Sequence, residues 1–450
     1  MSDSQLLKKY DIQAPRYTSY PTVPYWSVSP TPEQWIAALN SAFERREASW
    51  SLYVHVPFCE TLCTFCGCNT TITRDHKVEN PYISHVLREF ENYAKNVPAF
   101  KTAPLRQIHL GGGSPTFLHP EELRRLVHGL QSAVGSLEQK FEGSIEVDPR
   151  RTTVEQLRVL YDLGFRRVSL GVQDFDLAVQ KIVNRVQSFE VTRDLTLAAR
   201  ELGYDSVNFD LIYGLPKQTM ASFAKTTELT VALRPDRIAL YSFAMVPWIK
   251  PAQRLFKDEE VPHGDEKRAL YEVAHRLLTD AGYVEIGMDH FALPTDALFK
   301  AHQAGRLHRN FMGYTDQRTD VLLGLGVSSI SETPTCFHQN EKVLPVYERR
   351  VSAGDIPGFR GHMLTAEDQQ QRDLILKFMT RFEVEMPSEE AVQDVKVVLQ
   401  ELISDQLVRV QGRKMTLTDK GRPFLRNACM ALDLRLRRSK PDSRVFSKAL

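Results

Sequence analysis

From residue 51 onward, short apolar runs alternate with longer stretches in which apolar residues recur every three or four positions. The runs predict strands and the stretches predict amphipathic helices. Strands are expected over 51–56, 107–110, 144–147, 167–170, 206–211 and 237–241, with helices between them, for example over 81–95, 120–134, 153–163 and 191–202. Thr152 and Glu155 suit a capping box, and Gly164 suits a stop after Leu163. Six strands, each followed by a helix, imply parallel pairing through βαβ units. Six units rather than eight predict an α/β fold, a partial (β/α)6 barrel. Chemistry in such folds sits at the C-terminal ends of the strands.

Residues 1–50 form an N-terminal extension. In it, Thr31-Pro32-Glu33-Gln34 opens a helix with a capping box, and the proline-bracketed Pro15-Arg16-Tyr17-Thr18-Ser19-Tyr20-Pro21 is extended. The barrel spans 51–285. Residues 286–360 extend it toward the substrate, and 361–450 form a mainly helical C-terminal domain. There, helices are expected over 374–378 and 392–402, a hairpin over 408–410 and 415–417 across Gly412, and a further helix after Lys420. The basic tail, 435–450, reads as a solvated mobile end.

Composition narrows the function classes. The 450 residues are 42% hydrophobic and carry a net charge of +1, which gives no sign of nucleic-acid or membrane binding. The first ten residues have no apolar core of a signal peptide, and no apolar run is long enough to span a bilayer, so the cytoplasm is the expected location. Of six cysteines, four lie between Cys59 and Cys68. A tight cluster reads as metal binding rather than a disulfide framework. Cys336 and Cys429 are isolated and read as small buried residues.

The cluster follows the first strand. Cys59, Cys63 and Cys66, spaced C-x3-C-x2-C, supply three soft thiolates from one loop. A cubane iron–sulfur cluster normally takes four cysteines, so three leave one iron open. The alternative is zinc with Cys68 as fourth ligand, although zinc sites usually pair C-x2-C units from separate segments. Gly111-Gly112-Gly113-Ser114 follows the second strand. It can bring backbone N–H groups close to an anionic ligand or merely form a tight turn. Glu146 sits at the third strand's end, where a carboxylate could hold an ammonium group or ribose hydroxyls, or could form an ordinary ion pair.

The cysteine spacing at the end of a first barrel strand, with Phe65 before the last cysteine, resembles the radical-SAM superfamily. More of the chain is similar to the oxygen-independent coproporphyrinogen III oxidase family: Pro15 to Pro21, Cys59 to Asn69, Gly111-Gly112-Gly113-Ser114-Pro115-Thr116, Ile145-Glu146-Val147-Asp148-Pro149-Arg150, Asp210-Leu211-Ile212-Tyr213-Gly214-Leu215-Pro216, Ile286-Gly287-Met288-Asp289-His290-Phe291-Ala292 and His308-Arg309-Asn310-Phe311-Met312-Gly313-Tyr314. The resemblance implies a 4Fe-4S cluster whose open iron binds S-adenosyl-L-methionine (SAM). Reductive cleavage then gives a deoxyadenosyl radical, which starts the conversion of two propionates of coproporphyrinogen III to vinyl groups. It implies two SAM molecules, one meeting Tyr53, Gly112, Glu146 and Ile330 and the second meeting Phe65, Gly113, Ser114, Gln173, Arg185, Asp210 and Ala244. Cys68 is then a non-ligand near the second SAM. Arg185 is expected within a helix, where a salt bridge is the competing role.

The substrate is a tetra-acid, so Arg16 and Arg309 are the expected carboxylate anchors, with Asp289 and His290 near the pyrrole face. The implied partners are coproporphyrinogen III and a low-potential electron donor, and the chain is expected to be a monomer. Ser114 stands where the family has Thr, and Met245 where it has His. The competing readings are another tetrapyrrole-modifying radical SAM enzyme, a haem chaperone on the same fold, and a C-terminal winged-helix DNA module. Pro15 to Pro21 and Cys68-Asn69 argue against the first two, and the lack of a Lys/Arg reading face argues against the third.

Overall fold

The computed structural model describes residues 3–45, 47–439 and 446–449. Strand β1 (Trp50–Val56) alternates Trp50, Leu52, Val54 and Val56 with Ser51, Tyr53 and His55, and all seven are buried. The apolar set joins the main core, where Trp50 stacks on Phe90 of the helix Glu79–Asn96. The polar set turns inward, where Tyr53 stacks on His109. Both faces are therefore covered, as a strand inside an α/β layer requires.

Parallel strands β2 (Leu105–Gly112), β3 (Leu137–Val147), β4 (Phe165–Gln173), β5 (Ser206–Tyr213) and β6 (Arg237–Ser242) follow in chain order. All six expected strands are present. A seventh, β7 (Val321–Leu325), pairs in parallel with the free side of β1, setting Leu323 opposite Leu52. Antiparallel strands continue the sheet past both β7 and β6, to twelve in all. Two of them, Ile330–Glu332 and Cys336–Asn340, follow β7 directly.

The expected helices appear as Glu79–Asn96, Pro120–Ala133, Val154–Asp162 and Phe189–Leu202. The first buries Tyr82, Ile83, Val86, Phe90 and Tyr93, one apolar stripe at helical spacing. The capping box of Val154–Asp162 uses Thr153 and Gln156, one residue later than expected. Gln156 is buried and donates from Nε2 to the carbonyls of Thr116 and Leu118, which anchors the box at that register.

The N-terminal extension serves two cores. Its helix Pro32–Phe43, capped by Thr31 and Gln34 as expected, buries Trp35, Ala38 and Leu39 against the barrel. Leu6, Tyr10, Tyr17 and Tyr20 pack instead into the C-terminal core. That core lies under the helix Ala366–Arg381 and a three-stranded sheet of Glu383–Glu385, Lys414–Leu417 and Val408–Gln411. The stretch 392–402 divides at Leu399 into two helices. The basic tail departs from the expectation where it is described. Ala449 is buried, Lys448 pairs with Gln13, and Arg426 donates to the carbonyls of Lys448 and Ala449. Residues 440–445 and 450 of that tail lie outside the described residues. Among the described residues, no helix is long and apolar enough to cross a membrane.

Candidate active site

β1 ends at Val56, and the chain enters the cysteine loop. Phe58–Cys59 pairs with Thr71–Ile72, which closes the loop, and the Cys66 N–H donates to the Cys63 carbonyl at 3.1 Å. The glycine run is the loop's backing. Gly113 N–H donates to Val56 O at 2.7 Å and Ser114 N–H donates to Phe58 O at 2.9 Å. A Cβ on Gly113 would stand 2.8 Å from the Pro57 carbonyl, and one on Gly112, at φ +115°, would stand 2.8 Å from the His55 ring. The expected anion cradle is thus largely spent on protein carbonyls, and the close approach that glycine allows here is to the cysteine loop.

A cavity of about 360 Å³ opens at the C-terminal ends of the strands. It is lined by Cys59, Cys63, Cys66, Cys68, Phe65, Gly112, Gly113, Ser114, Glu146, Gln173, Arg185, Asp210 and His290. Tyr53, Ala244, Ile330, Arg309, Asp289 and Arg16 lie outside that lining. Asp289 and Arg16 line a neighbouring cavity of about 460 Å³, and Tyr241 borders both.

The donor set fits a polynuclear iron–sulfur centre better than zinc. Tetrahedral zinc with sulfur at about 2.3 Å needs thiolates about 3.8 Å apart. Among the described residues, no three cysteine sulfurs lie within 4.8 Å of one another. The Cys68 N–H donates to Cys66 Sγ at 3.4 Å, and Cys68 itself is exposed to the cavity. Hydrogen bonding from Cys68, with the charges of Lys250 and Arg185, holds the Cys66 thiol below its ordinary value, whereas burial pushes Cys59 up to about 12. Binding a cation therefore has to expel at least the Cys59 proton.

Cys63 has two cationic neighbours. Arg185 Nη1 lies 3.6 Å and Arg150 Nη2 3.8 Å from its sulfur, and Asp148 holds both guanidiniums, at 3.2 and 2.6 Å. Arg185 stands after the short helix Leu177–Ile182 rather than within a helix, because the backbone turns out of the helix at Asn184, φ +54°; Asp148 and the Gly171 carbonyl hold its side chain at the cavity. Its ion pair and its place in the cavity wall coexist. Sequence reading did not single out Asp148 or Arg150, although both stand in the quoted Asp148-Pro149-Arg150 at a strand end.

Glu146 accepts from Gly112 N–H at 3.4 Å and lies 3.5 Å from His109 Nε2. Against the cost of burial, these contacts hold its carboxyl below its ordinary value, so it is an anion at neutral pH. Asp210 accepts from Ser169 and Asn208, yet burial and the nearby Glu146 push it up to about 6. Two carboxylates on one wall thus differ in proton affinity. Gln173 adopts φ +67° at the end of β4, which bends the strand out of register with β5 at the cavity's edge.

Asp289 accepts from His290 Nδ1 at 2.7 Å. Burial opposes its ionisation, but Arg309 and His290 hold it down to about 2. Arg309 lies over the Tyr314 ring at 4.4 Å, and its Nη1 pairs with Asp289 at 3.8 Å; Nε and Nη1 are buried without a hydrogen bond. Met245, where a histidine was expected, packs with Phe65 against the apolar cluster of Phe243 and Phe256. Ala244 accepts from Gln253 through its carbonyl, and Ile330 begins the strand after β7.

Known proteins are similar to this chain. The Radical SAM superfamily profile matches residues 53–230. The oxygen-independent coproporphyrinogen III oxidase of Pseudomonas aeruginosa is 38% identical over 447 residues, 96% of this chain and 95% of that protein. The protein of the same name from Escherichia coli is 40% identical over 458 residues, 100% of this chain and 98% of its own length. The structure of a coproporphyrinogen III oxidase from Escherichia coli, a radical SAM enzyme, superposes with a TM-score of 0.89, covering 94% of this chain and 98% of that one at 39% identity. With this degree of identity over nearly the whole length, and with the three-cysteine loop at the end of β1, the chain belongs to the oxygen-independent coproporphyrinogen III oxidase family of radical SAM enzymes.

Proposed function

We propose that this chain oxidatively decarboxylates two propionate side chains of coproporphyrinogen III to vinyl groups, yielding protoporphyrinogen IX. The single observation that carries this reading is the loop of Cys59, Cys63 and Cys66, opening on a cavity walled by strand ends. Each vinyl group formed removes one hydrogen atom, one carbon dioxide and one electron from a propionate. No side-chain acid or base breaks an unactivated C–H bond. A 4Fe-4S cluster and SAM, when bound, supply a carbon-centred radical able to do so.

The protein's own residues bind, orient and exclude water. Cys59, Cys63 and Cys66 are the metal ligands. Glu146, ionised at the cavity wall, suits an ammonium group. With Tyr53, Gly112 and Ile330 it forms the first SAM site. Phe65, Gly113, Ser114, Gln173, Arg185, Asp210 and Ala244 form a second, whose ribose hydroxyls Asp210 can accept. Cys68 stands beside it. The Nε and Nη1 donors of buried Arg309, which make no hydrogen bond within the protein, suit a propionate. His290, oriented by Asp289, faces the pyrrole, and Arg16 holds a further carboxylate from the neighbouring cavity. Met245 replaces a donor with an apolar wall. The protein acts as a monomer in the cytoplasm, with reducing equivalents from a low-potential donor protein.

The test is an anaerobic assay of the reconstituted protein with strong reductant, SAM and coproporphyrinogen III, following deoxyadenosine and protoporphyrinogen together. Both are expected. Deoxyadenosine without porphyrin product would indicate a different substrate, and haem binding with neither product would overturn the enzyme reading.

A further inference from the structure

Outside the cavity, three side chains converge. His76 opens a short turn after Thr71–Ile72, Glu79 is the first residue of Glu79–Asn96, and His119 precedes Pro120–Ala133. Glu79 Oε1 accepts from His76 Nδ1 at 2.5 Å and from His119 Nδ1 at 2.8 Å. Its other oxygen accepts the His119 N–H at 2.9 Å. The Glu79 side chain is only 2% exposed, while that of His119 is 61% exposed. Among the described residues, this is the only trio of His, Cys, Asp or Glu whose ligand atoms all lie within 4.8 Å of one another.

We propose that His76, Glu79 and His119 bind one zinc ion, with a fourth position open to water. Two imidazoles and one carboxylate are a known zinc donor set for a site with an open position. The packing orients the ligands. The His76 ring lies flat on Phe117 at 4.4 Å, and His119 stands edge-on to it at 4.5 Å. His119 occupies a helix N-cap yet makes no capping bond, so its ring is turned to Glu79 instead. Without a metal, both rings must point an Nδ1–H at the same oxygen. Tetrahedral coordination at about 2.1 Å sets donors about 3.4 Å apart, so both imidazoles, now 2.5 and 2.8 Å from Glu79 Oε1, have to swing outward, which their 37% and 61% exposed side chains allow.

The ion would tie two loops together. The His76 turn follows the strand that closes the cysteine loop, and His119 follows the Pro115–Phe117 turn that leaves the glycine run. Zinc here acts as a brace behind the cavity, independent of the iron ligands.

The test uses full-length, anaerobically reconstituted protein, dialysed against chelator and titrated with zinc chloride. Calorimetry is expected to show one zinc per chain, and zinc-edge absorption a nitrogen and oxygen shell near about 2.0 Å without sulfur. His119→Asn keeps a good N-cap and removes a ligand. It is expected to weaken zinc binding by at least about tenfold, as is Glu79→Gln, with iron content unchanged. No uptake, a sulfur shell near about 2.3 Å, or unchanged affinity in His119→Asn would each overturn the proposal.

Discussion

Replacing Gly113 with alanine isolates the contact that holds the cysteine loop in place. The new Cβ would sit 2.8 Å from the Pro57 carbonyl carbon and oxygen and 2.9 Å from Phe58 O, all backbone atoms that cannot swing aside. The φ of Gly113 is not positive, so alanine itself is unstrained there. The whole penalty falls on the contact. Moving the loop away stretches Gly113 N–H to Val56 O and Ser114 N–H to Phe58 O, each worth about 1 kcal/mol net. Overpacking adds at least about 1 kcal/mol. A total near 3 kcal/mol shifts the loop equilibrium roughly 150-fold. At limiting iron and sulfide, the fraction of Gly113→Ala protein holding a complete cluster should fall several-fold, read by iron and sulfide content and by the EPR signal of the reduced cluster. Gly67 is the control in the same loop, because a Cβ there meets nothing within 4 Å. Gly67→Ala should load like the wild type. If Gly113→Ala also loads fully, the glycine run is not the loop's backing and the reasoning fails.

Three further predictions follow from the site and its supports. On the proposed ligand set of Cys59, Cys63 and Cys66, Cys68→Ser should keep full iron content after reconstitution; loss of iron would restore a four-cysteine site. Arg309→Leu should raise the KM for coproporphyrinogen III at least about 30-fold, since a buried charge pair costs about 2–5 kcal/mol to truncate, and should leave iron intact; an unchanged KM would remove Arg309 from the substrate. Glu89 is fully buried and accepts from Gly326 N–H, Asn340 and Tyr347. Burial pushes it up to about 7 despite these bonds. A carboxyl raised on folding gives its full stability below about pH 4.5 and loses it as pH rises through 7. The stability of wild type relative to Glu89→Gln should therefore fall by roughly 2–3 kcal/mol from pH 5 to 8 in urea denaturation, and a flat difference would refute the raised proton affinity.

The six central strands and their helices were readable because burial on a regular element leaves a local repeat. β1 to β6 and the stripe of Tyr82, Val86, Phe90 and Tyr93 are of that kind. The cysteine loop was readable because its spacing lies in one short segment. β7 was not assigned, since Val321-Leu322-Leu323-Gly324-Leu325 is too short to declare its partner, and its place beside β1 depends on residues some 270 apart. The capping box moved by one residue because buried Gln156 reaches carbonyls at 116 and 118, which no local pattern records.

The amino-acid sequence by itself determined the α/β class, the three thiolates and their position at a strand end. Those follow from periodicity and spacing over a few residues. Only the tertiary structure decided what those thiolates face. It brought Arg150 and Arg185 to the Cys63 sulfur through Asp148, spent the glycine-run donors on Val56 and Phe58, and left Arg309 buried beside Asp289 with two donors lacking a hydrogen bond. It also folded residues 6–20 and 447–449 into the C-terminal domain. Each depends on which distant groups meet in low dielectric, where an unpaired donor or charge is costly and its partner is set by three-dimensional packing.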